Sequence, residues 1–139
     1  MDGTKKLREG GCLCGAVRYE ALGEPTYAGY CFCSDCRKAS GSGFIPFMGF
    51  PGSALCIRGD VRQSIAKSAR GSDAVRNHCA ICNSLVFGGI IGKDDSHTIY
   101  AGTLDDPSGF VPTMAIFCGE RPNWALFPPG ISAFEKMPG

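Results

Sequence analysis

The sequence predicts a mainly β fold with few short helical turns, and three observations predict it. Twenty glycines and nine prolines in 139 residues interrupt helices and suit tight turns. Short runs with period-two alternation recur along the chain. Turn signals such as PGS, RGD, RGSD and GKDD separate them. Nothing repeats at a fixed period and no polar linker divides the chain, so residues 1–139 read as one domain of ordinary size.

Residues 1–9, MDGTKKLRE, read as a loose amino-terminal segment. Its lysines are not followed by an apolar stretch, so it is not expected to be a secretory signal, and no 18 apolar residues run together. The expected location is cytoplasmic. Next, GGCLCGAVRYEA reads as a strand that sets Cys12, Cys14, Ala16 and Arg18 on one face and Leu13, Val17 and Tyr19 on the other. An extended piece through Thr26 to Phe32 leads to Ser34, expected to cap one or two helical turns that end near Gly41. Further strands are expected at Phe44 to Phe50, Ala54 to Arg58, Val61 to Ser68, Ala74 to His78, Ser84 to Ile91 and His97 to Tyr100. The last forty residues alternate proline-rich turns with apolar patches, which suits loops and edge strands on the core.

Charge excludes some partners. A formal net charge of +1 supplies no field to draw in nucleic acid or a membrane surface. Hydrophobic residues at 44% and charged residues at 19% rule out wholesale disorder.

The nine cysteines carry the chemistry. An odd number in a reducing compartment is not a disulfide framework, so metal binding or thiol chemistry leads. Cys79 and Cys82 in HCAICNS have the spacing of a zinc knuckle, and Asn83 after them tolerates the positive φ such a turn needs. Together with Cys12 and Cys14 they supply four thiolates, the complement of a closed structural zinc. The alternative is a lone redox CxxC with two idle cysteines. That leaves Cys31, Cys33 and Cys36 in CFCSDC, where three ligands and an open fourth position match catalytic zinc. Cys36 is expected in the first turn of the helix, beside Arg37 and Lys38. In the rival reading Cys56, Cys118 or His78 closes this second site and both metals are structural.

Cys56 and Cys118 lie in apolar runs and read as core residues. His78 should face away from Cys79, and His97 follows charged turn residues and is expected to be exposed. Arg37, Lys38 and Arg121 are candidate partners for substrate carboxylates. Asp105 and Asp106 are candidates to steer a proton, or else turn formers.

These motifs resemble the glutathione-dependent formaldehyde-activating enzymes, a family that includes centromere protein V. The matching segments are GGCLCGAVRYE, CFCSDCRKASGSGF, CAICNS, AGTLDDP and the terminal FEKMP. The resemblance implies a β-tent of short coiled antiparallel sheets around a structural zinc, on Cys12, Cys14, Cys79 and Cys82. It implies a second, labile zinc on Cys31, Cys33 and Cys36, the catalytic residues. The implied activity is of carbon-sulfur lyase type: glutathione and formaldehyde, or a similar thiol and small aldehyde, form S-hydroxymethylglutathione or a related adduct. Phe32 stands where the family commonly has histidine, and Asn83 where it has glycine; Phe32 should point away from the metal. Rival functions are a non-catalytic zinc-stabilised binding module, and a methionine sulfoxide reductase-like redox protein with Cys118 or Cys56 as nucleophile.

Overall fold

The computed structural model of the chain describes residues 5–68 and 71–138. Eleven strands form two sheets among these residues. Strands β1 (Leu7–Gly11), β2 (Arg18–Leu22) and β5 (Leu55–Arg58) make a small antiparallel sheet in the order β1-β2-β5. The larger sheet contains β3 (Tyr27–Cys31), β4 (Ile45–Pro51), β6 (Val61–Lys67), β7 (Asp73–Cys79) and β8 (Leu85–Gly88). It is completed by β9 (Ser96–Tyr100), β10 (Met114–Ile116) and β11 (Ser132–Ala133), in the order β11-β10-β3-β4-β9-β8-β7-β6. One short helix, α1 (Ser34–Ser40), joins β3 to β4.

The mainly β expectation holds, with one refinement at the edge. β10 runs parallel to β3, and β11 parallel to β10, because the chain after β9 crosses back beside β3 rather than forming a hairpin. Of the segment 1–9 expected to be loose, Leu7 to Glu9 lie in β1, and residues 1–4 lie outside the described residues. No helix among the described residues is long and apolar enough to cross a membrane.

Two sequence expectations are corrected near the cysteines. Cys12 and Cys14 do not lie in a strand; they occupy the turn between β1 and β2, whose last pair is Gly11 with Arg18. Cys12 N–H donates to Val17 O at 3.0 Å, and Gly15 at φ 85 reverses the chain. Ser34 is not the cap of α1. Cys33 is, with its Sγ accepting the Cys36 N–H at 3.2 Å, while Gly41 at φ 69 ends the helix where expected.

The larger sheet has two working faces, divided by strand alternation. Ala28, Met48, Phe50, Phe87 and Ile99 pack with Val17, Tyr19 and Ala21 of the small sheet and form the main core. Burying a large apolar side chain there contributes about 1.5–3 kcal/mol. Tyr27, Cys31, Ile45, Phe47, Thr98 and Tyr100, at the alternate positions, line a cleft of about 520 Å³ on the opposite side.

His97 belongs to the core face, contrary to the expectation of exposure. It shares alternation with Ile99, is buried, meets Phe87 edge-on at 5.8 Å, and its Nδ1 lies 3.1 Å from Gly88 O. The charged turn before β9 gave the wrong cue. Cys56 is exposed rather than core, because β5 has no partner beyond it and its outward positions meet solvent. Cys118 is half-buried and packs against the cluster of Phe32, Ala115 and Ala125.

Candidate metal centres and cleft

The turn after β1 and the turn after β7 bring four sulfurs together. Cys12, Cys14, Cys79 and Cys82 place their Sγ atoms within 4.8 Å of one another. The Cys12–Cys14 and Cys14–Cys79 separations are 3.6 and 3.7 Å. A tetrahedral zinc with Zn–S near 2.3 Å holds its sulfurs about 3.8 Å apart, so this donor set fits the ion. Backbone N–H groups point at the sulfurs, from Val17 to Cys12 at 3.2 Å and from Ile81 and Cys82 to Cys79 at 3.3 and 3.4 Å. Asn83 adopts φ 64 and donates its N–H to Cys79 O at 3.0 Å, the positive φ that the knuckle needs.

Ser84 ties the two turns together, a role with no signal in the sequence beyond its place next to the knuckle. Its hydroxyl lies 3.1 Å from Cys82 Sγ and accepts the Leu13 N–H at 3.2 Å. The Ser84 hydroxyl, with its own N–H and that of Cys14, pulls the Cys82 thiol down to about 5. Cys14 accepts an N–H from Ala16, which favours the thiolate, yet desolvation and the three neighbouring thiols push it up to about 11. His78 is not part of this cluster.

The second trio is assembled from a strand and a helix. Cys31 closes β3, Cys33 caps α1 and Cys36 lies in its first turn, with Cys36 Sγ 3.3 Å from Cys31 Sγ. All three sulfurs lie within 4.8 Å of one another, and among the described residues no fourth cysteine, histidine or carboxylate joins them. This set also fits zinc, with one position of the tetrahedron left over. The helix start is fixed from outside, since Ser34 N–H donates to Glu120 Oε1 at 2.9 Å and Phe32 N–H to Ile116 O at 3.0 Å.

The trio is electrostatically prepared to carry negative charge. Cys33 receives hydrogen bonds from Cys31, from Cys36 and from backbone N–H groups, and its thiol falls to about 2. Cys31 is pushed up by those same two neighbours and by burial. For Cys36 the Cys31 contact favours the thiolate, but Cys33 and burial outweigh it and raise the group to about 11. Of the three, Cys33 is the sulfur whose thiolate form is favoured, while Cys31 and Cys36 are held toward the thiol.

All three sulfurs line the cleft, with Phe47, Ile116 and Phe117 packed around them. Phe117 is held at φ 55, an uncommon conformation for a bulky residue, by N–H donation to Lys136 O at 3.0 Å. Phe32 points the other way and sits fully buried among Phe44, Phe127 and Tyr30. Of the charged candidates, Arg37, Lys38 and Arg121 do not line the cleft. Arg121 instead donates to Ala125 O at 2.7 Å and stacks on Phe127. Asp105 pairs with Arg18, and Asp106 accepts from Ser108 N–H, so the turn-forming reading is the one realised. Arg76, Asp73 and Asp94 are the charged groups that do line the cleft; β7, which carries Arg76 and Asp73, has no motif of its own, and Asp94 reads in the sequence only as part of the turn GKDD.

The chain is thus a mainly β protein that fastens four thiols between two turns and opens three more onto a cleft. Residues 7–120 match the family described as glutathione-dependent formaldehyde-activating enzyme, and the chain belongs to that family. A Halomonas elongata protein provisionally named as such an enzyme is 33% identical over 86 residues, 58% of this chain. The match spans 55% of that protein's length. The crystal structure of a Rhodobacter sphaeroides protein shares the fold, with a TM-score of 0.51 and 23% identity over 75% of this chain and 97% of that one.

Proposed function

We propose that the chain is a zinc-dependent enzyme of carbon-sulfur lyase type that joins a glutathione-like thiol to formaldehyde or another small aldehyde. The observation that carries this reading is the cysteine trio, which meets at the cleft wall without a fourth side-chain ligand among the described residues. The cleft volume falls within the usual range of small-molecule sites, about 300–1,000 Å³. A metal on Cys31, Cys33 and Cys36 would offer one open position to an incoming sulfur and favour its thiolate form. A metal on Cys12, Cys14, Cys79 and Cys82 would have all four positions filled and serve the fold alone.

The chemistry then asks little of other groups. The substrate thiol gives its proton to solvent, and its sulfur attacks the aldehyde carbon, forming one carbon-sulfur bond. The carbonyl π pair moves to oxygen, which takes a proton from water, leaving an S-hydroxymethyl adduct. Cys31, Cys33 and Cys36 orient the sulfur, while Ile45, Phe47, Met114 and Ile116 give the cleft an apolar wall that limits water. The paired hydroxyls of Tyr27 and Thr98, 3.1 Å apart, supply polar contacts on the sheet floor.

A redox role for Cys56 or Cys118 is less well supported, because neither lines the cleft and burial raises the Cys118 thiol. Nine free thiols suit a reducing compartment, which supports a cytoplasmic location. The test is adduct formation from glutathione and formaldehyde, followed by NMR, together with metal analysis of the purified protein. Two zinc ions per chain and a rate above the uncatalysed one are expected, with Cys36→Ser abolishing the excess rate. One inert zinc and no rate enhancement would refute the proposal.

A further inference from the structure

The cleft contains one cation among its described lining residues, Arg76 on β7. It is half-buried, and its guanidinium makes no hydrogen bond or ion pair with another described residue. A guanidinium held partly out of water without a partner is costly unless a ligand supplies one. The strand beside it adds no side chain there: Arg76 pairs with Gly88, which also lines the cleft.

The signs of the remaining groups narrow the choice. Asp73 and Asp94 also line the cleft, and Asp94 already accepts the Ile90 N–H at 2.7 Å. These carboxylates disfavour an anion beside them, and Arg76 is the lining group that attracts one.

The geometry points to Arg76 as the residue that binds a carboxylate of the thiol substrate, so that the cleft selects thiols bearing an acid group remote from sulfur. This rests on the function proposed above and names the substrate class for it. A guanidinium forms paired N–H···O bonds with a carboxylate, which adds orientation as well as affinity.

The experiment compares glutathione with its diethyl ester, which keeps the thiol and removes both carboxylates, and uses 2-mercaptoethanol as a neutral reference. The wild-type protein should prefer the acid over the ester. Arg76→Gln should lower kcat/KM for glutathione about 10- to 100-fold, mainly through KM, and leave the ester and 2-mercaptoethanol within about twofold. Arg76→Lys should recover part of the loss. An equal fall for all three thiols, or no change in the acid-to-ester ratio, would overturn the assignment.

Calorimetric binding of S-methylglutathione and its diester separates this inference from the reaction itself, because the thioether cannot react. Preference for the acid that disappears in Arg76→Gln upholds the carboxylate site even if no thiol is turned over. Equal binding of acid and ester to the wild-type protein overturns it even if the reaction proceeds.

Discussion

Ser84 Oγ lies 3.1 Å from Cys82 Sγ and also accepts the Leu13 N–H, so a single hydroxyl spans both turns of the four-cysteine cluster. Hydrogen bonds to metal-bound ligands orient them, and their loss typically costs about 10–100-fold in affinity. Ser84→Ala should therefore weaken zinc binding at this cluster by about tenfold or more while leaving the other cluster unchanged. Chelator competition that resolves the two metals measures it.

The two clusters should respond oppositely to loss of a ligand. Cys79 is fully buried in the main core, whereas α1 contributes no buried residue and holds Cys36 at the cleft. Cys79→Ser should destabilise the chain by more than about 4 kcal/mol. Cys36→Ser should leave the melting temperature within a few degrees of wild type. Differential scanning calorimetry of the two variants gives the comparison, and equal losses would count against the division of roles.

Acid should strip both metals, because thiolate ligands must be deprotonated to bind. The cluster opening onto the cleft should lose its ion first as pH falls, and a mild chelator at neutral pH should remove it without unfolding. Metal release and circular dichroism recorded together on the same sample check this.

Alkaline pH tests the core. Burial, partly offset by the hydrogen bond to Thr103 Oγ1 at 2.7 Å, pushes the Tyr19 hydroxyl up to about 12 from 10.0. Between those values the unfolded state has lost its proton and the folded state has not, so the unfolded state binds fewer protons. Stability is then full below pH 10 and falls as pH rises toward 12, by about 2–3 kcal/mol in total. Tyr19→Phe should lose about 1 kcal/mol at pH 8 but show a flatter decline above pH 10. Urea unfolding at pH 8 and pH 11 supplies the four values.

Phe32 separates packing from ligation. It lies in an aromatic cluster facing away from the neighbouring sulfurs. Phe32→His should bury an imidazole without a partner and cost about 2 kcal/mol, with no change in metal content. A variant that gained a tighter second metal would contradict the orientation seen here.

Much of the architecture was legible from residues alone. Alternation placed β3 to β7 and β9 within a residue, β8 ended three residues before the expected Ile91, and Gly41 ended α1 as expected. The knuckle geometry at Cys79 to Asn83 followed from spacing and from the tolerance of asparagine for positive φ. Alternation failed at Cys12 to Val17, where Gly15 and a cysteine-directed N–H turned the chain that period two would have kept straight. The charged turn before β9 misplaced His97, because polarity of a preceding turn says nothing about which face the next strand residue meets. Arg76 and Ser84 were invisible as site residues for a different reason. Their importance comes from pairings across the sheet and between the two turns, which no local window contains.

Gly29, Gly49 and Gly88 sit on the cleft side of the larger sheet, and a side chain added at any of them would meet Met114, the Tyr27 ring or Tyr100. Met114 and the Tyr27 ring thus lie directly on the strands where Gly29 and Gly49 omit a side chain, and of these three glycines Gly88 is the one that lines the hollow. Their neighbours in sequence, Ala28, Met48 and Phe87, belong to the reverse surface and its interior. Reshaping the hollow for a bulkier or slimmer guest can accordingly proceed at every second letter of these strands, while the letters between continue to hold the molecule together.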